Sequence, residues 1–261
     1  MSLKLSIIIP AFKERQKIER DIEAAHTFLE GHGIGGEIIV VDDGSPDDTA
    51  QIARALQAKY SELRVVSYEN NRGKGHAVAQ GVAQAGGEFI MFADAGLCVP
   101  YDIATIGMTI LEMGMCDIAH GSRRMRGSIL RPQPLYRRVG SRVYAVVIHT
   151  LFGVPWHISD TQCGFKLYRG EVARELYSEV VTDGFMFDIE VILRALRRKK
   201  RILEFPVLWS NDADTRYDPI WGTVRNFKEL IRIRWALATE ARDRAVLLKE
   251  RSGQREDATV T

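Results

Sequence analysis

Asp42 and Asp43 close the run EIIVVDD, Asp94 closes EFIMFAD, and Lys74 stands between two glycines in NNRGKGH. A carboxylate at a strand end can accept ribose hydroxyls or a base N–H. A lysine in a glycine turn ahead of a helix amino-terminus can meet a diphosphate, although a glycine-rich turn with a solvated lysine fits the same spacing equally well. For Asp42 the competing role is electrostatic capping of the helix that Pro46 opens, and the binding role is preferred; Ser45 and Asp47 read as first-turn capping groups. Asp160, just before TQCGFK, could face a reaction centre or cap the next turn. Asp188 and Glu190 are two apart on a helical pattern, so they do not share a face and do not form a pair. His76, His120 and His157 have no ligand spacing.

These groups sit at the ends of short apolar runs. SIIIPAFKE, EIIVVDDGSPDD and EFIMFADAG each pair a strand pattern with a polar turn. In an open α/β sheet, the carboxyl ends of the strands and the amino-termini of the following helices form the crevice where ligands bind. The periodicity predicts strands at Leu5–Ala11, Ile38–Val41, Leu63–Tyr68, Phe89–Phe92 and Asp117–His120. It predicts helices at Ile18–Leu29, from Pro46 to about Lys59, at Gly75–Ala85 and at Ile103–Met113. After Gly121 the rhythm changes: a basic, proline-bearing loop (RRMRGSILRPQP), a helix near Val139–Leu151, the strand GFKLY, a helix over Phe187–Arg197, a strand over Ile202–Trp209 and a long basic helix over Val224–Lys249. The glycine, proline and charge of the arginine loop predict disorder before a ligand binds. Ser252–Thr261 is polar and expected to be disordered. The fold class is therefore α/β, a single Rossmann-like domain (1–220) with a mainly parallel central sheet flanked by helices, followed by a basic amphipathic helix (221–250) and a tail (251–261).

Composition fits a nucleotide-binding enzyme. With 261 residues and 46% hydrophobic content the chain can bury a large core, and a formal net charge of +2 gives no polyelectrolyte reason for a nucleic-acid partner. Cys98, Cys116 and Cys163 are odd in number and form no CxxC pair, which argues against a zinc site or a disulfide framework and for a reducing cytosol. The apolar run before Pro10 is too short for a signal-peptide core, and no stretch approaches the roughly 20 apolar residues of a membrane-spanning helix.

The ordered series PAFKE, VVDDGSPDDT, NNRGKGHAVAQG, FADAG, GSRR, DTQCGFKLY and GFMFDIEV resembles the family 2 inverting glycosyltransferases, in the polyprenyl (dolichyl) phosphate glucosyl- and mannosyltransferase branch, over roughly Ser6 to Trp235. The resemblance implies a GT-A fold with a sugar nucleotide in the crevice. It implies donor contacts from Pro10, Phe12 and Glu14 on the base side, from Asp42, Asp43, Gly73 and Lys74, from the Ala93–Asp94–Ala95 segment, and from Arg216 closing over the donor. It implies that Arg123, Arg137 and Ser141 hold the phosphate of the acceptor, while Arg124, Arg126, Arg131 and Arg138 thicken a solvated basic region. A phosphate oxygen is already anionic at neutral pH, so such an acceptor needs arginine forks more than a base. Relatives carry Asp-x-Asp where this chain has Asp94-Ala95-Gly96. Either Asp94 and the diphosphate share a Mg²⁺ or Mn²⁺, or Lys74 and arginines supply the positive charge; the expected cofactor is the divalent cation, with Asp94 its one side-chain ligand.

The function expected is transfer of a hexose, glucose from UDP-glucose ahead of mannose from GDP-mannose, to a polyprenyl phosphate with inversion. Transfer to a hydroxyl, with Asp160 as base, is the second enzyme reading. A catalytically silent sugar-nucleotide-binding or membrane scaffold, motivated by Gly96, belongs to another class. The segment VRNFKELIRIRWALATEARDRAVLLK alternates basic and apolar residues at near-helical spacing, which suits an interfacial helix, a helix packed on the domain or an oligomer contact. The first is slightly preferred, placing the protein peripherally on the cytoplasmic face of a membrane, alone, as a homo-oligomer or beside a membrane-protein partner.

Overall fold

The computed structural model describes residues 3–128, 135–210, 225–240 and 242, with backbone alone at 135–141 and 143. The expected tail at 251–261 lies outside these residues. Two compact units divide the chain at Arg216 and Tyr217.

The first unit is built on seven strands: β1 (Leu5–Ala11), β2 (Gly36–Asp42), β3 (Leu63–Ser67), β4 (Phe89–Ala93), β5 (Ile118–Ser122), β6 (Phe165–Arg169) and β7 (Ile202–Pro206). Between them run α1 (Ile18–Gly31), α2 (Thr49–Leu56), α3 (Lys74–Gln84), α4 (Ala104–Glu112), α5 (Leu135–Leu151), α6 (Gly170–Tyr177) and α7 (Phe187–Arg197). The spatial order is β3-β2-β1-β4-β6-β5-β7. Neighbours are parallel except around β6, which runs antiparallel to both β4 and β5.

Ile7, Ile8 and Ile9 of β1 and Ile38 to Val41 of β2 are wholly buried in succession, so both sheet faces are covered. That is why these strands read as continuous apolar runs rather than alternating ones. α1 lays Ile18, Ile22, Ala25, Phe28 and Leu29 against the sheet, and its Asp21 is buried with them.

Several expectations change: β7 ends at Pro206 rather than Trp209, and α5 begins at Leu135 rather than near Val139. α2 begins at Thr49, three residues after Pro46, because Asp47 accepts the Thr49 N–H at 3.2 Å and holds the preceding turn. α6, whose Val172, Ala173, Leu176 and Tyr177 are buried, was not expected: at eight residues, beginning directly after β6, it is too short for its period to stand out.

Strand order reverses beside β1, which has β2 on one side and β4 on the other. A crevice at the carboxyl ends of β1 and β4 follows from that reversal. Because β6 is antiparallel, its first residue pairs with the last of β4 (Phe165 with Ala93), so the segment entering β6 arrives at the same edge.

Candidate active site

Asp42 ends β2 with one carboxylate oxygen accepting the Ser45 N–H at 3.3 Å and the other, Oδ1, buried without a partner. Burial raises its affinity for a proton, and an unpaired buried acceptor at the crevice is what a ligand hydroxyl or N–H would satisfy. Asp43 is differently placed. Its carboxylate accepts from Tyr68 Oη (2.8 Å), Asn71 Nδ2 (2.7 Å) and the backbone N–H groups of Arg72 (2.9 Å) and Gly73 (2.8 Å). It therefore organises the turn that carries Lys74, and the direct donor contact expected of it is taken up by the chain itself. Ser45, expected as a helix cap, instead accepts the Lys13 N–H at 2.9 Å, while Thr49 accepts that of Glu14 at 2.9 Å. The loop bearing the partly buried Phe12 and Glu14, which follows Pro10 of β1, is thus laced to the loop after β2.

The glycines around Lys74 serve the protein's own backbone. Gly73 has φ +120°, and a Cβ there would stand 2.5 Å from the Asp183 carbonyl oxygen; one on Gly75 would stand 2.4 Å from that of Thr182. The close approach expected toward a phosphate is made toward residues 182–184. The effect is to hold Lys74 Nζ at 2.6 Å from Asp94 Oδ1, over the adjoining rings of Phe92 (5.6 Å) and Phe187 (5.8 Å). Burial pulls the Lys74 ammonium toward neutrality, but Asp94 and Asp188 outweigh it and keep the proton more tightly bound than usual.

Asp94 follows Ala93, the last residue of β4, and its N–H donates to the Gly164 carbonyl at 2.9 Å. Its carboxylate lies where a Cβ on residue 164 would be, at 2.0–2.3 Å, so only glycine leaves it room. Ala95 is partly buried, and Gly96 adopts φ +100° with its N–H held by the buried Asp21 at 2.6 Å.

On the other side of the cleft, Arg123 follows β5. Its Nε and Nη2 form a fork on Asp160 (both 2.8 Å), its own backbone N–H reaches the same carboxylate at 2.8 Å, and its guanidinium lies 5.7 Å from the Trp209 ring. Glu204 on β7 holds the Asp160 backbone N–H (2.7 Å) and Ser159 Oγ (2.6 Å). Burial alone would raise the Asp160 carboxyl, but the Arg123 charge and hydrogen bonds take it down to about 2. Asp94, Arg123, Cys98, Cys163 and Trp209 line one cleft. Arg124 and Arg126 are exposed. Arg137 and Ser141 lie one helical turn apart on the α5 backbone, on one face. Arg131 and Arg216 fall outside the described residues, as does the arginine loop from 129 to 134, and the side chains of Arg137, Arg138 and Ser141 with them.

Asp188 pairs with Lys166 of β6, inside the fold, and Glu190 accepts the N–H groups of Val181 and Thr182 and pairs with Arg194. Both acids are structural, consistent with their spacing.

A two-carboxylate metal centre does not fit these residues. Gly96 offers no side chain, Asp94 is against Lys74, and Asp160 and Asp188 have their own cations. The buried Cys163 thiol, near the cleft, is pushed up to about 12 and is a poor ligand for a hard cation. Among the described residues no group of three His, Cys, Asp or Glu could hold a metal ion.

Gly164, Asp21, Trp209 and Glu204 were not singled out from sequence. The glycine of QCGFK was the available signal for the first; the others act through long-range contacts that have no sequence period.

A family description, "Glycosyl transferase family 2", matches residues 6–177. The dolichyl-phosphate beta-glucosyltransferase of Saccharomyces cerevisiae is 31% identical over 252 residues, covering 89% of this chain and 74% of that protein; the Homo sapiens protein of the same name is 29% identical over 253 residues, covering 91% and 77%. Among solved structures, glucosyl-3-phosphoglycerate synthase from Mycobacterium tuberculosis in complex with Mn²⁺, UDP and phosphoglyceric acid superposes with a TM-score of 0.63 at 18% identity, covering 88% of this chain and 78% of that one. Mannosyl-3-phosphoglycerate synthase from Rubrobacter xylanophilus gives 0.63 at 16% identity, covering 92% and 76%. These neighbours share the GT-A architecture expected from the motifs.

Proposed function

Given that the chain belongs to glycosyltransferase family 2, we propose that this glycosyltransferase moves glucose from UDP-glucose to the phosphate of a dolichyl-type polyprenyl phosphate, inverting the anomeric carbon. The names of the relatives support the acceptor class and the sugar. The observation that carries the reading is the state of Asp160: both oxygens are committed to Arg123 and the carboxyl is held at about 2. A hydroxyl acceptor needs a base near neutrality. A phosphate needs none, and Arg123 Nη1, which makes no hydrogen bond among the described residues, offers a donor for one. The hydroxyl-acceptor reading loses its base.

Arg123, with Arg137 and Ser141 on α5, positions the acceptor phosphate; Asp42 and the loop of Pro10, Phe12 and Glu14 take the nucleoside; Lys74 and the Ala93–Asp94–Ala95 segment face the diphosphate and sugar. Arg216 closes over the donor.

The acceptor is met at a membrane surface, on its cytoplasmic face. No helix of the described residues is long and apolar enough to cross a membrane. The helix at 225–240 buries Leu230, Ile233 and Leu237 and exposes Phe227, Ile231 and Trp235 at four-residue spacing, with Arg225, Lys228, Arg232 and Arg234 also exposed. An apolar stripe flanked by cations suits an anionic headgroup layer.

The test is transfer of labelled sugar from UDP-glucose and GDP-mannose to a short polyprenyl phosphate in detergent, beside a non-phosphorylated polyprenol and soluble sugars. Labelled polyprenyl phosphate sugar from UDP-glucose is the expected result. Labelling of a hydroxyl acceptor instead, or nucleotide binding without transfer to any acceptor, would replace this reading with the hydroxyl transferase or the silent binding protein.

A further inference from the structure

The charges around the cleft are matched before any ligand arrives, Asp94 with Lys74 and Asp160 with Arg123, and behind them Asp188 is paired with Lys166 inside the fold. A cation shared between protein and diphosphate needs hard oxygen donors on the protein side. The only acid of the Asp94-Ala95-Gly96 turn faces an ammonium, and the third position is a glycine whose backbone, at φ +100°, a side-chain-bearing residue rarely adopts. That backbone is fixed from beneath by Asp21, through the Gly96 N–H.

We infer, building on the donor reading above, that Lys74 is the resident cation for the donor diphosphate and that this chain binds and cleaves its sugar nucleotide without a divalent metal. Three features fit Lys74 for it. Its side chain is only 17% exposed, its ammonium lies over the adjoining rings of Phe92 and Phe187, and Gly73 and Gly75 clamp its backbone on residues 182–184, so little ordering is left to be done on binding. In a water-poor site a fixed ammonium stabilises developing phosphate charge without reorganisation.

The step balances without a metal or a base. An anionic oxygen of the acceptor phosphate attacks C1 of the sugar; the bond from C1 to the β-phosphate oxygen breaks, its electron pair stays on that oxygen, and the products are UDP and the phosphate-linked sugar. No proton is transferred. Lys74 pairs with the charge that grows on the leaving diphosphate, and Asp94 keeps that lysine in place and protonated.

The experiment is calorimetric titration of the full chain with UDP and GDP in EDTA, Mg²⁺ and Mn²⁺, with electron paramagnetic resonance of Mn²⁺ to count bound metal and labelled transfer measured in the same buffers. Kd for UDP is expected to agree within about twofold across the three conditions, and Lys74→Met to weaken UDP by about tenfold or more, as loss of a charge-assisted contact implies, without repair by Mn²⁺. Lys74→Arg, which keeps the charge, should recover part of the loss, and melting curves exclude a folding defect. A wild-type affinity that rises about tenfold with Mn²⁺ and collapses on chelation overturns the inference, as does a well-folded Lys74→Met that binds UDP like the wild type. A chain that binds neither nucleotide in any buffer overturns the donor reading itself, and this inference with it.

Discussion

Asp160 and Asp21 are both buried acids, and their surroundings drive them in opposite directions. Asp160 is held at about 2 against the cost of burial by the Arg123 fork. Its stabilising contribution is thus fully present above the ordinary aspartate range, near pH 4, and is lost as pH falls toward 2. Asp160→Asn keeps the shape and removes the charge; it should cost about 3 kcal/mol in urea unfolding at pH 7, as when one partner of a buried pair is removed, and should lower transfer by at least about tenfold because Arg123 loses its orientation. Asp21 has no such partner. Burial pushes it up to about 6, and the Gly96 N–H and Arg20 only partly offset that. A raised acid contributes stability below its unfolded value and loses it as pH rises through the folded one, so Asp21 favours folding at pH 4 and opposes it by about 2–3 kcal/mol above pH 6. Asp21→Asn should flatten that part of the profile, raising stability at pH 7.5 relative to the wild type while leaving pH 3, below the unfolded aspartate value, nearly unchanged in parallel urea titrations.

At the scale of elements, the first turn of α3 depends on an approach that no side chain permits. Gly75→Ala would put a methyl group 2.4 Å from a backbone carbonyl of Thr182, which cannot retreat like a flexible side chain. A loss of about 1–3 kcal/mol is expected, read as a lower melting temperature together with weaker nucleotide binding as Lys74 shifts. β1, β2 and β4 were legible in the sequence because each is a buried strand closed by a polar turn, and α7 was legible to the residue from its amphipathic period. The direction of β6 was not. Nothing within GFKLY distinguishes a parallel from an antiparallel partner, since that depends on where α5 returns the chain. The candidate site divides the same way. Asp42, Asp94 and Lys74 announce themselves at strand and helix ends, whereas the roles of Asp43, Asp160 and Gly164 come from partners between 25 and 70 residues distant, as with Asp43 and Tyr68, Asp160 and Arg123, or Gly164 and Asp94.

For the whole molecule, the exposed stripe of Phe227, Ile231 and Trp235 gives a separable test of membrane engagement. Trp235→Glu should reduce flotation with phosphatidylserine vesicles several-fold, while transfer to a short, detergent-dispersed acceptor stays near wild type, since the side chain is 74% exposed and removing it breaks no core packing. The strand order holds a further consequence. β1 to β4 fill one side of the sheet and β5 to β7 the other, with no strand of either set interleaved among the other, and the two sets meet only along the β4–β6 ladder. The link between them passes through the turn at Gly114, flanked by the exposed Met113 and Met115. The polypeptide is therefore a candidate for fragment complementation: pieces 1–114 and 115–261, produced together, should dock through α4 and the β4–β6 ladder and regain transfer, whereas either alone carries only one wall of the cleft.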